Sequence, residues 1–303
     1  MERKTRDMDM KQEARVTGVY LYCFARPRPN RDGTNVVCHG LDGHEPVAFV
    51  DVDDVSGVYS RVAIEDFTGE SGERHLEDAR WVVPRACRHE QVIEEMMKIS
   101  PVFPVRFGAV FSSGEALAMV VAENRREISS FLYDVAGKEE WSVKGYMDIE
   151  GAADRLLKCD ASLRRVQKGA MARRDCAAGT GPFPDPEPPL TPGTRYLTEK
   201  RFRAEALKEV RRMCRSAAVE VQKALAELAA DSCPQRLQPH GTSDSKREMV
   251  LHRAFLLPRE SVAEFRERVM ETGLHCLEVG ISLELSGPWP PYSFCPSLGK
   301  PRT

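Results

Sequence analysis

Residues 19–25 run Val19-Tyr20-Leu21-Tyr22-Cys23-Phe24-Ala25, apolar and aromatic without a break. Such a run predicts a central β-strand buried on both faces, so a sheet is the first thing this chain must build. Arg26-Pro27-Arg28-Pro29-Asn30 ends the run, because proline cannot continue a hydrogen-bonded ladder. Two more strands are expected at 46–52 and 57–64, with Asp53-Asp54 between them in a hairpin-like turn.

Residues 73–97 read as a helix broken near Pro84, with Ala86, Val92, Ile93, Met96 and Met97 as its apolar stripe. Strand character resumes over 101–111, where Phe103, Val105, Phe107 and Phe111 share one face at a period of two. Ser112 and Glu115 form a capping box that launches a helix to about residue 136. Over 140–149, Trp141, Val143, Met147 and Ile149 face one way, and Ser142, Lys144 and Asp148 face the other. That alternation predicts a strand with one wet face. The expected first domain, 16–150, is ferredoxin-like α+β: a mostly antiparallel sheet with helices on one face.

A short helix at 152–168 precedes a proline-dense stretch, 177–193, that reads as a mobile extended loop. The longest helical stretch, 195–230, sets Phe202, Ala206, Val210, Met213, Ala217, Val221, Ala224 and Leu228 at three-and-four spacing. This seam either packs on its own sheet or forms an intermolecular coiled coil, and its richness in alanine favours the first. Residues 231–247 read as loop, 249–257 as strand, 260–272 as helix with Gly273 just past its end, and 277–285 as strand. A second ferredoxin-like domain with a long helix results, over 151–287, with a disordered tail at 1–15 and a C-terminal tail at 288–303.

Lys and Arg (44) balance Asp and Glu (46) to a net charge of −2, so no whole-protein positive field attracts nucleic acid. No apolar run approaches the ~20 residues of a membrane helix, and the charged residues 1–15 lack the apolar core of a signal peptide. No membrane partner is expected. Nine scattered cysteines without a C-x-x-C pair suit reduced thiols in a cytoplasm.

The sequence carries no phosphate loop and no G-x-S-x-G nucleophile elbow. His89-Glu90 opens like a zinc protease motif, but Ile93 stands where the second histidine belongs. Asp51, Asp53, Asp54 and His89 are the set from which a metal-dependent enzyme would be built. Val62 occupies the twelfth position from Asp51, where an EF-hand needs glutamate, and an acidic turn needs no metal. Cys38, His39 and His44 lack a fourth ligand at finger spacing. Cys23 reads as a core thiol and His89 as a surface or partly buried helix residue. No catalytic, cofactor or metal residue is assigned. The candidates for partner contact are Arg106, which interrupts an apolar strand, Trp289 and Tyr292 in the stiff Pro288-Trp289-Pro290-Pro291-Tyr292 peptide, and Arg211 and Arg212 in the basic run of the long helix.

At 101–117 the chain reads Pro-Val-Phe-Pro-Val-Arg-Phe-Gly-Ala-Val-Phe-Ser-Ser-Gly-Glu-Ala-Leu, and at 140–148 Glu-Trp-Ser-Val-Lys-Gly-Tyr-Met-Asp. With these go the Val19-Tyr20-Leu21-Tyr22 strand, His89-Glu90 after Trp81, Pro192-Gly193 leading into Tyr196-Leu197, and Pro288-Trp289-Pro290-Pro291-Tyr292-Ser293-Phe294 near the end. Over roughly 16–294 the pattern closely resembles the gas vesicle protein L/F family, GvpL/GvpF. Residues 1–15 and 179–193 look like additions to it. The resemblance implies a minor gas vesicle component or assembly factor with two α+β domains and no enzymatic activity, acting at the gas vesicle in the cytoplasm. Its implied partners are the small hydrophobic shell protein, which it would keep from aggregating during nucleation and growth, and other accessory gas vesicle proteins; the alternative role is an adaptor that binds those accessory proteins and not the shell. A shell subunit with an exposed apolar face needs a soluble binder before it polymerises.

Overall fold

A computed structural model describes residues 16–27, 39–159, 191–237 and 247–299. The chain is α+β and divides into two compact units, Met1–Glu140 with Pro288–Thr303, and Trp141–Gly287. The expected tail at 1–15 and most of the proline-dense stretch lie outside the described residues. Among the described residues no helix is long and apolar enough to cross a membrane.

In the first unit, β1 (Thr17–Ala25), β2 (Ala48–Val52), β3 (Val55–Ala63) and β4 (Val102–Pro104) form a sheet in the order β2-β3-β1-β4. A short β5 (Val110–Phe111) also pairs with β1, and all these pairings are antiparallel. β1 is buried at every residue after Thr17. The helices are α1 (Gly69–Glu77), α2 (Ala79–Met97) and α3 (Gly114–Asp134). The break between α1 and α2 falls at Asp78, not at Pro84. Asp78 is extended, and its carboxylate accepts the Arg80 N–H at 2.9 Å, so the cap fixes the boundary while Pro84 sits inside α2. Likewise Ser113, not Ser112, caps α3, accepting the Ala116 N–H at 3.2 Å.

The helices do not share one face of the sheet. Tyr20, Tyr22 and Val58 pack with Val92, Ile93 and Met96 of α2. On the other side Leu117 of α3 lies against Gly57, and Phe131 of α3 meets Phe103, which meets Phe24, at centroid distances of 4.8 and 5.8 Å. Adjacent strand residues point to opposite faces, so α2 and α3 cover the sheet from its two sides. A strand without polar alternation leaves no face for water, and β1 requires both covers.

The stretch 101–111 is two short strands with a detour between them. The Val105 N–H donates to Tyr22 O at 3.0 Å and the Leu21 N–H donates to Ala109 O at 2.9 Å, while Gly108 turns the chain at φ 96°. Phe103 therefore meets α3, whereas Phe107 lies on the α2 side, 5.9 Å from the His89 ring. A single period of two cannot run through that detour.

In the second unit, β6 (Lys138–Met147), β7 (Asp231–Pro234), β8 (Glu248–Pro258) and β9 (Ile281–Trp289) form a sheet in the order β7-β8-β6-β9. Counted within each unit, both sheets have strand order 2-3-1-4. The sequence pattern assigns β6 to the first sheet; its pairing and its core residues Trp141, Val143 and Met147 place it in the second. Alternation identifies a strand but says nothing about which sheet it joins. β7 occupies part of the expected loop at 231–247; it has four residues and pairs antiparallel with β8, too short to show a period.

The helices of this unit are α4 (Ile149–Cys159), α5 (Pro192–Ala226) and α6 (Val262–Glu278). Pro192 and Gly193, expected in the loop, open α5, where a proline's missing N–H is harmless and Thr191 supplies the cap. Ala206, Val210, Cys214, Val221 and Leu225 of α5 join Phe255 and Phe265 in the core, so its apolar seam packs on its own sheet.

α6 passes straight through Gly273. A Cβ there would have only the Leu283 Cβ at 4.0 Å, whereas Gly280 holds φ 87°, a left-handed value that ends the helix. Burial of Cys276 favours the extra turn. Gly273→Ala is therefore expected to stabilise the protein by about 0.5–1 kcal/mol through helix propensity. Gly280→Ala is expected to cost about 1–2 kcal/mol. Urea unfolding of the two variants reads the signs, and the reverse pair of signs would restore Gly273 as the terminator.

Candidate functional site: a buried polar network at the C-terminal peptide

β1 brings the Tyr20 hydroxyl under α2, where His89 is 0% exposed. The His89 Nε2–H donates to Val105 O at 2.9 Å; a carbonyl only accepts, so the proton sits on Nε2. Nδ1 then accepts from Tyr20 Oη at 2.9 Å, and that oxygen in turn accepts the Gly108 N–H at 3.1 Å. Burial drives the imidazole down to about 4, against the Val105 bond, so His89 is neutral at physiological pH. Burial raises the Tyr20 phenol as well.

The C-terminal peptide completes this network within the first unit. Pro290 and Pro291 are buried, and a short 3-10 turn, Tyr292–Phe294, follows. Tyr292 Oη donates to Glu90 Oε1 at 2.9 Å and lies 3.3 Å from His89 Nε2. Ser293 donates its N–H to Glu140 Oε2 at 3.0 Å and its hydroxyl to Glu140 Oε1 at 2.6 Å. Burial raises both carboxyls, opposed by Tyr292 at Glu90 and by Ser293 at Glu140. Burial also pushes the Cys295 thiol up to about 12 and raises Cys23, so neither offers a thiolate at neutral pH. Among the described residues no buried side-chain polar atom lacks a hydrogen bond. The arrangement clasps a peptide: both nitrogens of the buried His89 imidazole are already engaged.

The sequence-predicted residues scatter. Arg106 is exposed on the detour between β4 and β5, and its charge acts on Cys295. Trp289, the last residue of β9, is 45% exposed. Tyr292 points its hydroxyl inward. Arg211 and Arg212 are exposed on α5, and Arg212 grips Glu209 with two bonds of 2.6 and 2.9 Å. The acidic turn is engaged by protein groups: Asp51 accepts from Ser56 at 2.5 Å, and Asp54 from Arg125 at 3.0 Å and Ser129 at 2.5 Å. His39 forms a bridge with Pro46, His44 is exposed, and Cys38 lies outside the described residues. Among the described residues no three or more His, Cys, Asp or Glu side chains are placed to hold a metal ion. His89, expected at or near the surface, is fully buried because Tyr20 and Val105 satisfy both nitrogens. Glu140 and Ser293 were invisible as a pair, being far apart in sequence. The signal available for Tyr20 and Tyr22 was two hydroxyls at i and i+2 in a strand too apolar to leave them unpaired.

Two α+β units of equal strand order, one of them closed by the C-terminal peptide, define a scaffold whose polar residues serve internal bonding. A family model described as gas vesicle synthesis protein GvpL/GvpF matches residues 18–296, and the chain belongs to that family. It is a gas vesicle accessory protein. Gas vesicle protein L of Streptomyces sp. (strain CB03234) is 26% identical over 273 residues, 90% of this chain and 91% of that protein. Gas vesicle protein L2 of Halobacterium salinarum is 25% identical over 292 residues, 93% and 92% of the two chains. The crystal structure of the gas vesicle protein GvpF from Anabaena sp. PCC7120 superposes with a TM-score of 0.63 at 20% identity, over 93% of this chain and 99% of that one. That likeness shows the fold.

Tyr292→Phe removes the donor to Glu90 and is expected to cost about 1–3 kcal/mol in unfolding experiments, because a half-buried carboxylate is left short of a partner. The pH response has a defined sign. The unfolded imidazole takes a proton near 6.5 and the folded one only near 4, so His89 makes stability fall as pH drops through that window, by up to about 3 kcal/mol. Glu90 and Glu140, with raised folded values, act in the opposite sense. The His89 share is isolated by comparison with His89→Gln, whose stability should fall less steeply between those pH values.

Proposed function

We propose that this protein is a minor gas vesicle component and assembly factor that binds the small hydrophobic shell protein. In this reading it supports vesicle nucleation and formation, keeps shell subunits from aggregating, and acts without catalysis at the gas vesicle in the cytoplasm. Membership of the GvpL/GvpF family along nearly the whole chain carries the reading. The clasp supports it: with Pro290 and Pro291 buried and Tyr292 and Ser293 bonded, the exposed Trp289 precedes a fixed peptide, and a held aromatic loses little freedom on docking. Trp289 is our leading contact for an apolar shell subunit, with Arg106, Arg211 and Arg212 as charged contacts for the shell or for other accessory proteins. Tyr292 serves by holding the peptide. The strand order 2-3-1-4 in both units supports a ferredoxin-like classification of each.

Co-expression with the shell protein tests the reading. The full chain should co-purify with the shell protein and keep it in the supernatant, and Trp289→Ala should weaken capture by about tenfold with the thermal midpoint unchanged. Equal shell aggregation with and without the chain would remove the reading. Capture of other accessory proteins without the shell protein would replace it with an adaptor role.

A further inference from the structure

α6 carries two apolar faces. Phe265, Val269 and Cys276 are buried in the core, while Met270, Leu274 and Leu277 are 64, 67 and 57% exposed. Their spacing of four and three puts them on one stripe, the pattern of a helix awaiting a helical partner. The charges beside the stripe are mainly acidic: Glu264, Glu267, Glu271 and Glu278 against Arg266 and Arg268. Arg268 itself lies between Glu264 and Glu271, at 3.9 and 3.8 Å.

The first turns of α5 have the complementary character. No residue of α5 before Ala206 is buried where the side chain is described, and Tyr196 and Leu197 are 63 and 66% exposed. Lys200 and Arg201 follow one turn later on the same side, both exposed. This arm has an exposed apolar start and basic residues beside it; Arg201 pairs with Glu205 at 3.3 Å, and Arg203, further on, pairs with Glu150 and Asp154 of α4 at 2.6 and 3.8 Å.

The two surfaces cannot meet within one chain. Arg268 Nη1 donates to Ala224 O at 3.5 Å, which ties α6 to the far end of α5. From there to Leu197 is about 40 Å along α5, and Leu277 lies no more than about 14 Å from Arg268 along α6; with about 10 Å for the step between the two helices, at least about 15 Å separates them. Nor does α6 suit its own copy. Glu264, Glu271 and Glu278 recur every seventh residue along one flank, and two antiparallel α6 helices would oppose like charges there.

We propose that the α6 stripe of one molecule receives the α5 arm of a second copy, so that the protein associates head to tail. Both surfaces lie in the second unit. Such a contact is heterologous and leaves a free arm and a free stripe at the two ends, which extends into short chains or a ring. It is separate from shell binding, which we assign to the Trp289 region.

Sedimentation velocity of the full chain over a concentration series tests this. The arm variant Lys200→Glu/Arg201→Glu and the stripe variant Glu267→Lys/Glu278→Lys should each weaken self-association by about tenfold or more. Mixed in equal amounts they should associate again to within about threefold of the native chain, because each altered surface then finds a complementary one. The changed side chains are exposed, and unaltered circular dichroism confirms folding. A chain that stays monomeric throughout, association indifferent to both variants, or a mixture that fails to recover would each overturn the proposal.

Discussion

The hydroxyl of Tyr20 sits in the middle of a strand that water does not reach. Leaving it unpaired costs about 1–3 kcal/mol, so its surroundings are arranged around it. It has one proton to give, and His89 Nδ1 takes it only if the imidazole is neutral with its own proton on Nε2. Nε2 then needs an acceptor, and the Val105 carbonyl provides it at the end of β4. The Gly108 N–H fills a lone pair of the same hydroxyl, at a turn whose φ of 96° suits glycine. The detour between β4 and β5, the tautomer of His89 and its low proton affinity form one connected solution.

That solution includes residues from the far end of the chain. The His89–Tyr292 contact spans 203 positions and the Ser293–Glu140 bonds span 153. The first unit is thus discontinuous: Trp141–Gly287 is inserted between its body and its last segment. Contacts of this separation form late, because loop closure must be met before they can contribute. The aromatic peptide is therefore a structural part of the first unit as well as a surface feature, and its buried prolines lower the entropy lost on docking it.

Much of this was legible in the sequence where a single local rule applied. β1 announces itself by its unbroken apolar run, and the proline and arginine after it mark its end. α3 and α5 follow from caps and three-and-four spacing, with errors of one to three residues at the starts. The misreadings share a cause. The pattern assigns β6 to the first sheet, the helices to one face and 101–111 to one strand, and the structure differs at each, because periodicity reports which residues of an element are alike and not what lies opposite them. Gly273 reads as a terminator because composition cannot distinguish a tolerated glycine from one with positive φ. The clasp was illegible because its members stand on β1, on α2, at residue 140 and in the C-terminal peptide, and no spacing rule links them.

Equal strand order conceals a difference in how the units treat their surfaces. In the first, helices cover both faces of the sheet, and on the α2 side the C-terminal peptide helps enclose an aromatic cluster of Tyr20, Tyr22, Phe67 and Phe107 around His89, with polar atoms drawn inward to match. In the second, α6 buries Phe265 and Val269 yet keeps Met270, Leu274 and Leu277 outside, and α5 extends beyond its last buried residue. Exposed apolar stripes and exposed apolar helical turns gain nothing for an isolated domain; they raise its tendency to associate. The first unit closes itself with hydrogen bonds and leaves Trp289 exposed, whereas the second leaves a whole helical stripe exposed, so each unit offers a partner a different surface.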